Sequence, residues 1–359
     1  MLKHQLKSTG TLKKFETYKA HNSRNKSGIT ACVVAPALNE ENYIGSFLES
    51  IKIQKTDYPV FVVISDNKSI DKTCDIAEKL GANVIETITQ GIGPARQRGI
   101  NFVKSMYPQN HEKVIIIQSD TDSCLVNENY VQKVCQVYEK DPSIEASVGP
   151  TQYHISRADN IQETISGGRE FKACFGTLSL KELFEECGRD ISDYLTSPPY
   201  RLFAGANSTY RLSVFDKNLV AYPQDKSWES VILSIRLQQH INPSQIAFID
   251  EQAISTSNRS YIEESGITTD AILNEIKKKR YITPFKSPDS LSPLDTLKSL
   301  LLKVDRETYS LSDYEIAIPV TISDINGTNK SNYRILDAKN ASTGKLIPNK
   351  FVTVKKTYI

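Results

Sequence analysis

Residues 114–123, with the sequence VIIIQSDTDS, join an apolar run to two closely spaced acids. The β-branched run from Val114 to Ile117 is typical of a buried strand, and Asp120 and Asp122 follow it with one residue between them. Carboxylates this close repel each other unless something relieves the repulsion. A metal ion, a lysine or water can do so, and the surrounding elements decide among them.

Three more apolar runs precede this strand, and a helical pattern separates each run from the next. The runs are 30–36, 60–65 and 83–87. Apolar strands that alternate with amphipathic helices predict an α/β fold, with a mostly parallel, Rossmann-like sheet and helices on both faces. Ligands bind at the carboxyl ends of the strands in such sheets. The turns that follow the strands are therefore the expected functional site.

Composition excludes several classes of function. The formal net charge of the 359 residues is +2, which gives no electrostatic reason to expect nucleic acid as the main partner. The longest apolar runs have the length of strands, and the basic N-terminus lacks the apolar core of a secretory signal. The six cysteines lie far apart, without metal-ligand spacing. These features predict a cytoplasmic protein.

The turn after the first strand reads PALNEE, residues 36–41. Its main-chain amides are exposed as the chain leaves the strand, and Glu40 can accept a hydrogen bond from a base or a ribose. Asn39 is expected to cap the next helix, with Glu40 and Glu41 in the first turn. A capped strand-to-helix turn explains the stretch equally well.

The turn after the second strand reads SDNKSIDKT, residues 65–73. Asp66 can accept the N–H of a uracil-like base, while Asn67 and Ser69 shape an Asx-type turn. Asp71 is a natural cap for the following helix. A polar turn without a ligand remains the alternative.

A glycine-bearing segment, QGIGPARQRG, follows the third strand at residues 90–99. Its spacing does not match the dinucleotide fingerprint. Gly91 and Gly93 would let the backbone approach a ligand, and Arg96 and Arg98 would meet a phosphate together with free N–H groups of the helix. A turn with solvated arginines is the alternative.

Together these stretches resemble the family 2 glycosyltransferases, which use nucleotide-sugars and have the GT-A fold. PALNEE is also similar to the start of the retaining glucosyl-phosphoglycerate synthases, and the resemblance covers about residues 29–260. The four family landmarks occur here in the family's order as Pro36/Asn39/Glu40, Asp66/Ser69/Asp71/Thr73, Gly91/Gly93/Ala95/Arg96 and Asp120/Asp122.

The resemblance implies a nucleotide site and a metal site. Asp120 and Asp122 would hold Mn²⁺ or Mg²⁺ against the donor diphosphate, since such ions take hard oxygen ligands and share substrate phosphates. Arg96 would lie near the donor phosphates. The residues expected to hold the nucleotide are Pro36, Ala37, Leu38, Glu40, Asp66, Asn67, Ser69, Gly93, Arg96 and Asp120.

The acceptor side matches the family with one departure. The stretch 203–215, FAGANSTYRLSVF, is similar to the family segment beneath the acceptor site, which implies acceptor roles for Asn207 and Arg211. Where the family carries a Glu-Asp pair, with the aspartate as base, this chain has Glu229 and then Ser230.

Two residues are candidates for the missing base. An acceptor hydroxyl needs a carboxylate within hydrogen-bond reach, and Glu229 and Asp225 are the two candidates. Trp228 would stack on an acceptor sugar or belong to the core. That no base exists remains open.

The chain is expected to divide into three parts. Residues 1–28 form a basic arm, either a solvated tail or a contact to an anionic membrane surface. The GT-A domain spans 29–261, with a nucleotide-binding half at 29–150 and an acceptor half at 151–261. The extension at 262–359 has no assigned role; homodimerisation, acceptor capture and peripheral association with the inner face of the membrane stay open.

The resulting hypothesis is a metal-dependent glycosyltransferase of the hexosyltransferase class. Its donor would be UDP- or GDP-linked, its acceptor a glycan, a lipid-linked group or a small molecule, and its outcome inversion, with retention open because the base is altered. One alternative is a catalytically degenerate nucleotide-sugar-binding or scaffolding protein. Another, a phosphatase with an aspartyl nucleophile, is disfavoured because its D-x-D-x-T motif belongs on an early strand.

Overall fold

A computed structural model describes most of the first 257 residues and two C-terminal segments. The described residues are 27–87, 90–156, 162–164, 184, 190–196, 198, 201–217, 220–223, 229–257, 333–339 and 346–355.

Strands and helices alternate in the first half of the chain as predicted. The strands are β1 (Thr30–Ala37), β2 (Val60–Asp66), β3 (Asn83–Glu86), β4 (Val114–Gln118), β5 (Ser123–Leu125), β6 (Ala146–Val148), β7 (Thr151–Ser156), β8 (Gln162–Thr164), β9 (Ser208–Arg211), β10 (Ile246–Phe248), β11 (Ile254–Ser257), β12 (Tyr333–Lys339) and β13 (Leu346–Lys355). The helices are α1 (Ile44–Lys52), α2 (Thr73–Lys79), α3 (Ile92–Met106), α4 (Tyr130–Lys140) and α5 (Glu229–Gln238).

The main sheet has the order β10-β6-β9-β4-β1-β2-β3-β12-β13. Its centre, β4-β1-β2-β3, is parallel, and β9 is antiparallel to both of its neighbours. The prediction of a mostly parallel α/β sheet is therefore confirmed. The C-terminal strand β12 pairs in parallel with β3, and β13 pairs antiparallel with β12, so part of the extension continues this sheet.

Both faces of the sheet are apolar because its central strands are buried on both sides. In β1, Ala31, Val33 and Ala35 face one core, while Cys32 and Val34 face the other. Helices α1, α2 and α4 cover the first core, and α3 and α5 cover the second. This two-sided burial explains why the strands have continuous apolar runs rather than alternating ones.

A smaller sheet, β5-β11-β7-β8, begins directly after the acidic pair. The amide of Ser257 in β11 donates to the carbonyl of Asp122 at 3.2 Å, and the Ser123 hydroxyl donates to Thr256 at 2.9 Å. Strand β8, residues 162–164, pairs antiparallel with β7. Within the described residues, no helix has the length and apolarity that a membrane crossing needs.

Candidate active site

The carboxyl ends of three neighbouring strands meet at one edge of the main sheet. Ala37, the last residue of β1, pairs with Asp66, the last residue of β2. On the other side of β1, Val34 pairs with Gln118 at the end of β4. Because these strands are parallel and in register, the turns carrying PALNEE, SDNKSIDKT and SDTDS lie side by side at this edge.

The first two turns are joined by hydrogen bonds in both directions. The Asn39 amide donates to the Ser69 hydroxyl at 2.9 Å, and the Ile70 amide donates to Oδ1 of Asn39 at 2.9 Å. Asn39 adopts the left-handed conformation, with φ of 56°, which asparagine tolerates better than most residues. The prediction that Asn39 caps the next helix is wrong, because its side chain binds the neighbouring turn and α1 begins only at Ile44.

A second set of hydrogen bonds joins the same two turns. The Glu41 amide donates to Asp71 at 3.1 Å, and the Glu40 amide donates to the Thr73 hydroxyl at 2.6 Å. Asp71 also accepts from the amide and hydroxyl of Thr73. Although burial acts to raise the pKa of Asp71, these donors outweigh it and the pKa is lowered. The two turns thus form a single unit, named here the turn clasp (residues 39–41 and 69–73).

Asp66 and Asn67 lie at the base of this clasp. Asp66 is 4% exposed, and both carboxylate oxygens accept from the Ser69 amide at 3.2 Å. Oδ1 of Asn67 accepts from the Gly91 amide at 3.1 Å, which ties the start of α3 to the end of β2. Gly91 has φ of 145°, a conformation that favours glycine. Asp66 therefore presents a rigidly held carboxylate.

The remaining residues predicted to hold the nucleotide lie along the same edge with different exposure. Leu38 is exposed and Pro36 is half-buried, whereas the other two are buried: Ala37 and Gly93. The carbonyl of Pro36 accepts from the Thr121 hydroxyl at 3.1 Å, which fixes the turn after β4 against the end of β1. Sequence reasoning gave Thr121 no role, although it lies between the two acids.

Asp120 and Asp122 remain partly accessible at this edge. The side chain of Asp120 is 30% exposed, and its carbonyl accepts from the Ser123 amide at 3.1 Å. Asp122 is half-buried, and its main chain is held by β11. The backbone of both acids is therefore fixed while oxygen atoms can still reach a ligand.

These donors fit a divalent cation that is shared with a diphosphate. Within the described residues, no group of three or more His, Cys, Asp or Glu side chains could enclose an ion. Two carboxylates are too few for a protein-enclosed site, but Mg²⁺ and Mn²⁺ often use one or two carboxylates and complete their shell with water and substrate phosphate. Asp120 and Asp122 would be the protein ligands in that arrangement.

Arg96 lies beneath the acidic pair rather than on the surface. It is 1% exposed, and its Nη2 contacts Oδ1 of Asp120 at 2.5 Å. Its Nη1 donates to the side chain of Gln118 and to the carbonyls of Ser119 and Gly205, at 3.0–3.3 Å. The guanidinium is enclosed next to the more accessible Asp120, which excludes the alternative of a solvated arginine, while its position near the donor phosphates stays a prediction.

The charge of Arg96 is maintained by its neighbours. Burial acts to lower the pKa of Arg96, but the negative groups around it, above all Asp120, outweigh burial and raise the pKa. Glu229 contributes as well, with Oε1 at 3.5 Å from Nε of Arg96. A buried arginine is thus paired with two carboxylates from different elements.

Glu229 is the first residue of α5 and is almost fully buried. The hydroxyl of Ser230, which stands where the family carries its aspartate, donates to Oε1 of Glu229 at 2.9 Å. The start of helix α5 thus directs this carboxylate toward Arg96. The other candidate base, Asp225, and the predicted stacking residue, Trp228, lie outside the described residues.

Asn207 does not have the predicted acceptor role. It is 1% exposed, and its Nδ2 donates to the carbonyls of Pro150 and Gln252, each at 2.8 Å. Its Oδ1 accepts from the Tyr130 hydroxyl at 2.9 Å and from Gln252 at 3.3 Å. Since donors and acceptor are all satisfied internally, Asn207 joins β9 to its surroundings and offers nothing to a ligand.

Arg211 lies at the opposite edge of the sheet from the site. Strand β9 runs antiparallel to β4, so Ser208 pairs with Gln118 near the site while Arg211 pairs with Ile115 near the other end. The guanidinium donates to four backbone carbonyls at 2.6–3.3 Å, those of Glu112, Tyr138, Asp141 and Ile144. The acceptor role predicted for Arg211 is wrong, because the direction of β9 carries it away.

Gly205 is a site residue that sequence reasoning did not single out. A Cβ atom at this position would lie 2.3 Å from Nη2 of Arg96, so only glycine leaves room for the guanidinium. The polar Gln118 at the end of an otherwise apolar strand was a signal that something polar lies beneath the site. Gly205 begins the G-x-N-x-x-x-R pattern within the stretch 203–215, but its packing against Arg96, 109 residues away in sequence, had no local signal.

Comparison with known proteins identifies a relative that matches a quarter of the chain. Uncharacterized protein MJ1222 of Methanocaldococcus jannaschii is 41% identical over 91 residues, which are 25% of this chain and 34% of that protein. The chain thus spans about a third of the length of this curated relative.

Two solved structures are also similar. Residues 1–349 of S. aureus TarS in complex with UDP match at 19% identity and a TM-score of 0.44, over 64% of this chain and 60% of that one. Glucosyl-3-phosphoglycerate synthase from Mycobacterium tuberculosis, in complex with Mn²⁺, UDP and glucosyl-3-phosphoglycerate, matches at 18% identity and a TM-score of 0.46, over 72% and 83%.

The family comparison covers more of the chain. The model for glycosyl transferase family 2 matches residues 32–217, which is just over half of the sequence and includes all three turns of the site. The family predicted from the four landmarks is thereby confirmed, together with its GT-A fold. This chain belongs to glycosyl transferase family 2.

Proposed function

We propose that this protein transfers a sugar from a UDP- or GDP-linked donor to an acceptor hydroxyl, with Mn²⁺ or Mg²⁺ and with inversion at the anomeric carbon. The observation that carries the proposal is the meeting of Asp66, Asp120 and Asp122 at one edge of the sheet, in a chain of family 2. Asp66 would bind the nucleoside, and the acidic pair would bind the diphosphate end.

The spacing of the strands supports one ligand across the edge. Asp66 ends β2 and Asp120 follows β4, with β1 between them. Two interstrand spacings amount to about 10 Å, which an extended nucleoside diphosphate can span. The turn clasp would keep its two halves fixed while the nucleotide binds, so little ordering would be required of the protein.

The acidic pair would supply the metal ligands. A bound cation would neutralise charge on the leaving nucleoside diphosphate, and this neutralisation is the only role proposed for the metal. Asp120 would keep its contact with Arg96, and Asp122 would carry most of the contact to the metal.

Glu229 would act on the acceptor. Its carboxylate is joined to the donor side through Arg96, so an acceptor hydroxyl bound beside the donor sugar would be near it. A carboxylate within hydrogen-bond reach can take the proton as the hydroxyl attacks. Asp225 remains the second candidate for this role.

A thermal-shift screen of nucleotide-sugars with Mn²⁺ tests the donor, and release of the nucleoside diphosphate from the sugar that binds tests transfer. We expect a UDP- or GDP-sugar to raise the melting temperature and Glu229→Gln to lower turnover by more than about 100-fold. Binding without turnover, unchanged by Glu229→Gln, would instead support the nucleotide-sugar-binding protein. The observation that favours this second candidate is Ser230 at the position of the family's base.

A further inference from the structure

The buried guanidinium of Arg96 joins the two sides of the candidate site. Nη2 of Arg96 contacts Asp120, the proposed donor-side ligand, and Nε lies 3.5 Å from Glu229, the proposed acceptor-side base. Asp120 follows β4 and Glu229 begins α5, so the arginine connects two elements that are 109 residues apart in the chain. One positive charge therefore faces two carboxylates.

The surroundings of Arg96 match a planar guanidinium. Nη1 donates to Gln118, Ser119 and Gly205, while Nη2 donates to Asp120. The absence of a side chain at Gly205 creates the space in which this group lies. Arg96 also lies near the ring of Tyr222, with 6.0 Å between Cζ and the ring centroid. Its orientation is thus set by contacts on several sides.

We infer that Arg96 is a positioning residue that holds Asp120 and Glu229 in one fixed relation, so that the metal ligand and the acceptor base are oriented together. This inference rests on the proposed function of those two carboxylates. Without the guanidinium, two like charges would face each other without a buried partner, and each would turn toward solvent. Metal-dependent binding would weaken because Asp120 would no longer be held in place.

Arg96→Lys separates this role from direct contact with phosphate. Lysine keeps the positive charge and binds phosphate well as a point charge, but it lacks the planar fork that serves several acceptors at once. If Arg96 touched the donor phosphates, lysine would largely replace it. If Arg96 positions Asp120, lysine would fail, since it cannot serve Gln118, Gly205 and Asp120 together.

Gly205→Ala tests the same role without changing Arg96. The added methyl group would overlap the guanidinium and displace it from Asp120. Gly45→Ala is the matched control, because a Cβ atom there meets nothing within 4 Å. Gly45 lies in α1 and contributes no side chain to the site.

The experiment is calorimetric titration of UDP with Mn²⁺ and, separately, with EDTA. We expect Arg96→Lys and Gly205→Ala to weaken UDP binding by about tenfold or more with Mn²⁺, in the range known for loss of a residue that orients a metal ligand. The same variants should change affinity in EDTA by less than about threefold, and Gly45→Ala should match the wild type in both conditions. The ratio of the two affinities is a readout that a loss of structure alone would not move.

Three results would overturn the inference. Wild-type affinity of both variants with Mn²⁺ would show that the position of Arg96 is not needed, and equal losses with and without Mn²⁺ would indicate contact with the nucleotide itself. If both variants fail to fold, Gln118→Met removes one acceptor of Arg96 more gently, and unchanged metal-dependent binding in it would also overturn the inference. Failure of the wild type to bind either UDP or GDP with Mn²⁺ would instead contradict the proposed function.

The link to Glu229 has its own measurement, which needs no substrate. Melting temperatures of Arg96→Lys, Glu229→Gln and the double variant form a cycle. If one ion cluster holds both residues, the shift of the double variant should be smaller than the sum of the single shifts. Additive shifts would remove Glu229 from the group that Arg96 positions.

Discussion

Arg211 stabilises the fold through backbone carbonyls. Its guanidinium donates to four carbonyls from the segments around β4, α4 and β6, and it packs over the ring of Tyr138 at 5.1 Å. Arg211→Ala would remove a donor from each of these carbonyls, and the bonds to Ile144 and Tyr138 are buried. We expect the free energy of unfolding to fall by about 3 kcal/mol or more, measured by urea denaturation.

Arg201→Ala is the control for this change. Arg201 is half-buried and lies over the ring of Phe248 at 5.7 Å, so its loss should cost less than about 1 kcal/mol. Folded Arg211→Ala protein should still bind UDP, because the residue lies at the far edge of the sheet. Unchanged stability together with a loss of acceptor use would restore the role predicted from the sequence.

Replacement of Asp66 should weaken binding of the nucleoside and leave binding of the metal unchanged. Its carboxylate is buried at the end of β2 and held by the Ser69 amide, so it is oriented before a ligand arrives. Asp66→Ala should weaken binding of uridine by about tenfold or more, the worth of a hydrogen bond to a charged group. Calorimetry with uridine checks this without metal, and Asp122→Ala serves as the control that should leave uridine binding unchanged. Equal uridine affinity in Asp66→Ala would remove Asp66 from the site.

The turn clasp is the element that keeps the nucleotide edge in shape. Asp71 accepts from Glu41 across the clasp and from Thr73 within its own turn. Asp71→Asn weakens these charge-assisted hydrogen bonds and should lower the free energy of unfolding by about 1 kcal/mol at neutral pH.

The pH dependence of this effect has a defined sign. Since the folded state lowers the pKa of Asp71 below the ordinary value of 3.8, the stabilisation is complete above that value and is lost as pH falls through the folded pKa. The difference between wild type and Asp71→Asn in urea denaturation should therefore shrink below about pH 4. A difference that grows in acid would contradict the assigned role.

Individual elements were predictable where local pattern and tertiary contacts agree. The apolar runs at β1, β2 and β4 and the helical patterns between them were sufficient to place the strands and helices. The start of α1 was misplaced because the partners of Asn39 are about thirty residues away, in the turn after β2. Local capping rules cannot include such a bond.

At the scale of the whole molecule, alternation of strands and helices determined most of the fold. Parallel strands place their carboxyl ends together, so the convergence of Asp66 with the acidic pair followed from the order of elements alone. The reversed direction of β9 did not follow, because a short strand after an irregular segment carries no sign of its direction. Arg211 was misassigned for that reason.

The remaining features that could not be predicted from the sequence depend on buried contacts between distant residues. The position of Arg96 beneath Asp120 depends on the space at Gly205 and on Gln118 from another strand. An arginine at a helix start suggests exposure to a ligand when only neighbouring residues are known. The pairing of β12 with β3 likewise joins distant segments and has no local signal.

The central claim is that Asp120 and Asp122 hold a divalent cation against a nucleoside diphosphate. The most direct test compares UDP binding by calorimetry, with and without Mn²⁺, in the wild type, in Asp122→Ala and in Asp141→Ala, which removes an exposed carboxylate at the opposite edge. We predict that Mn²⁺ strengthens UDP binding in the wild type and in Asp141→Ala, and that Asp122→Ala loses this gain, by about tenfold or more. An equal gain from Mn²⁺ in Asp122→Ala would contradict the claim.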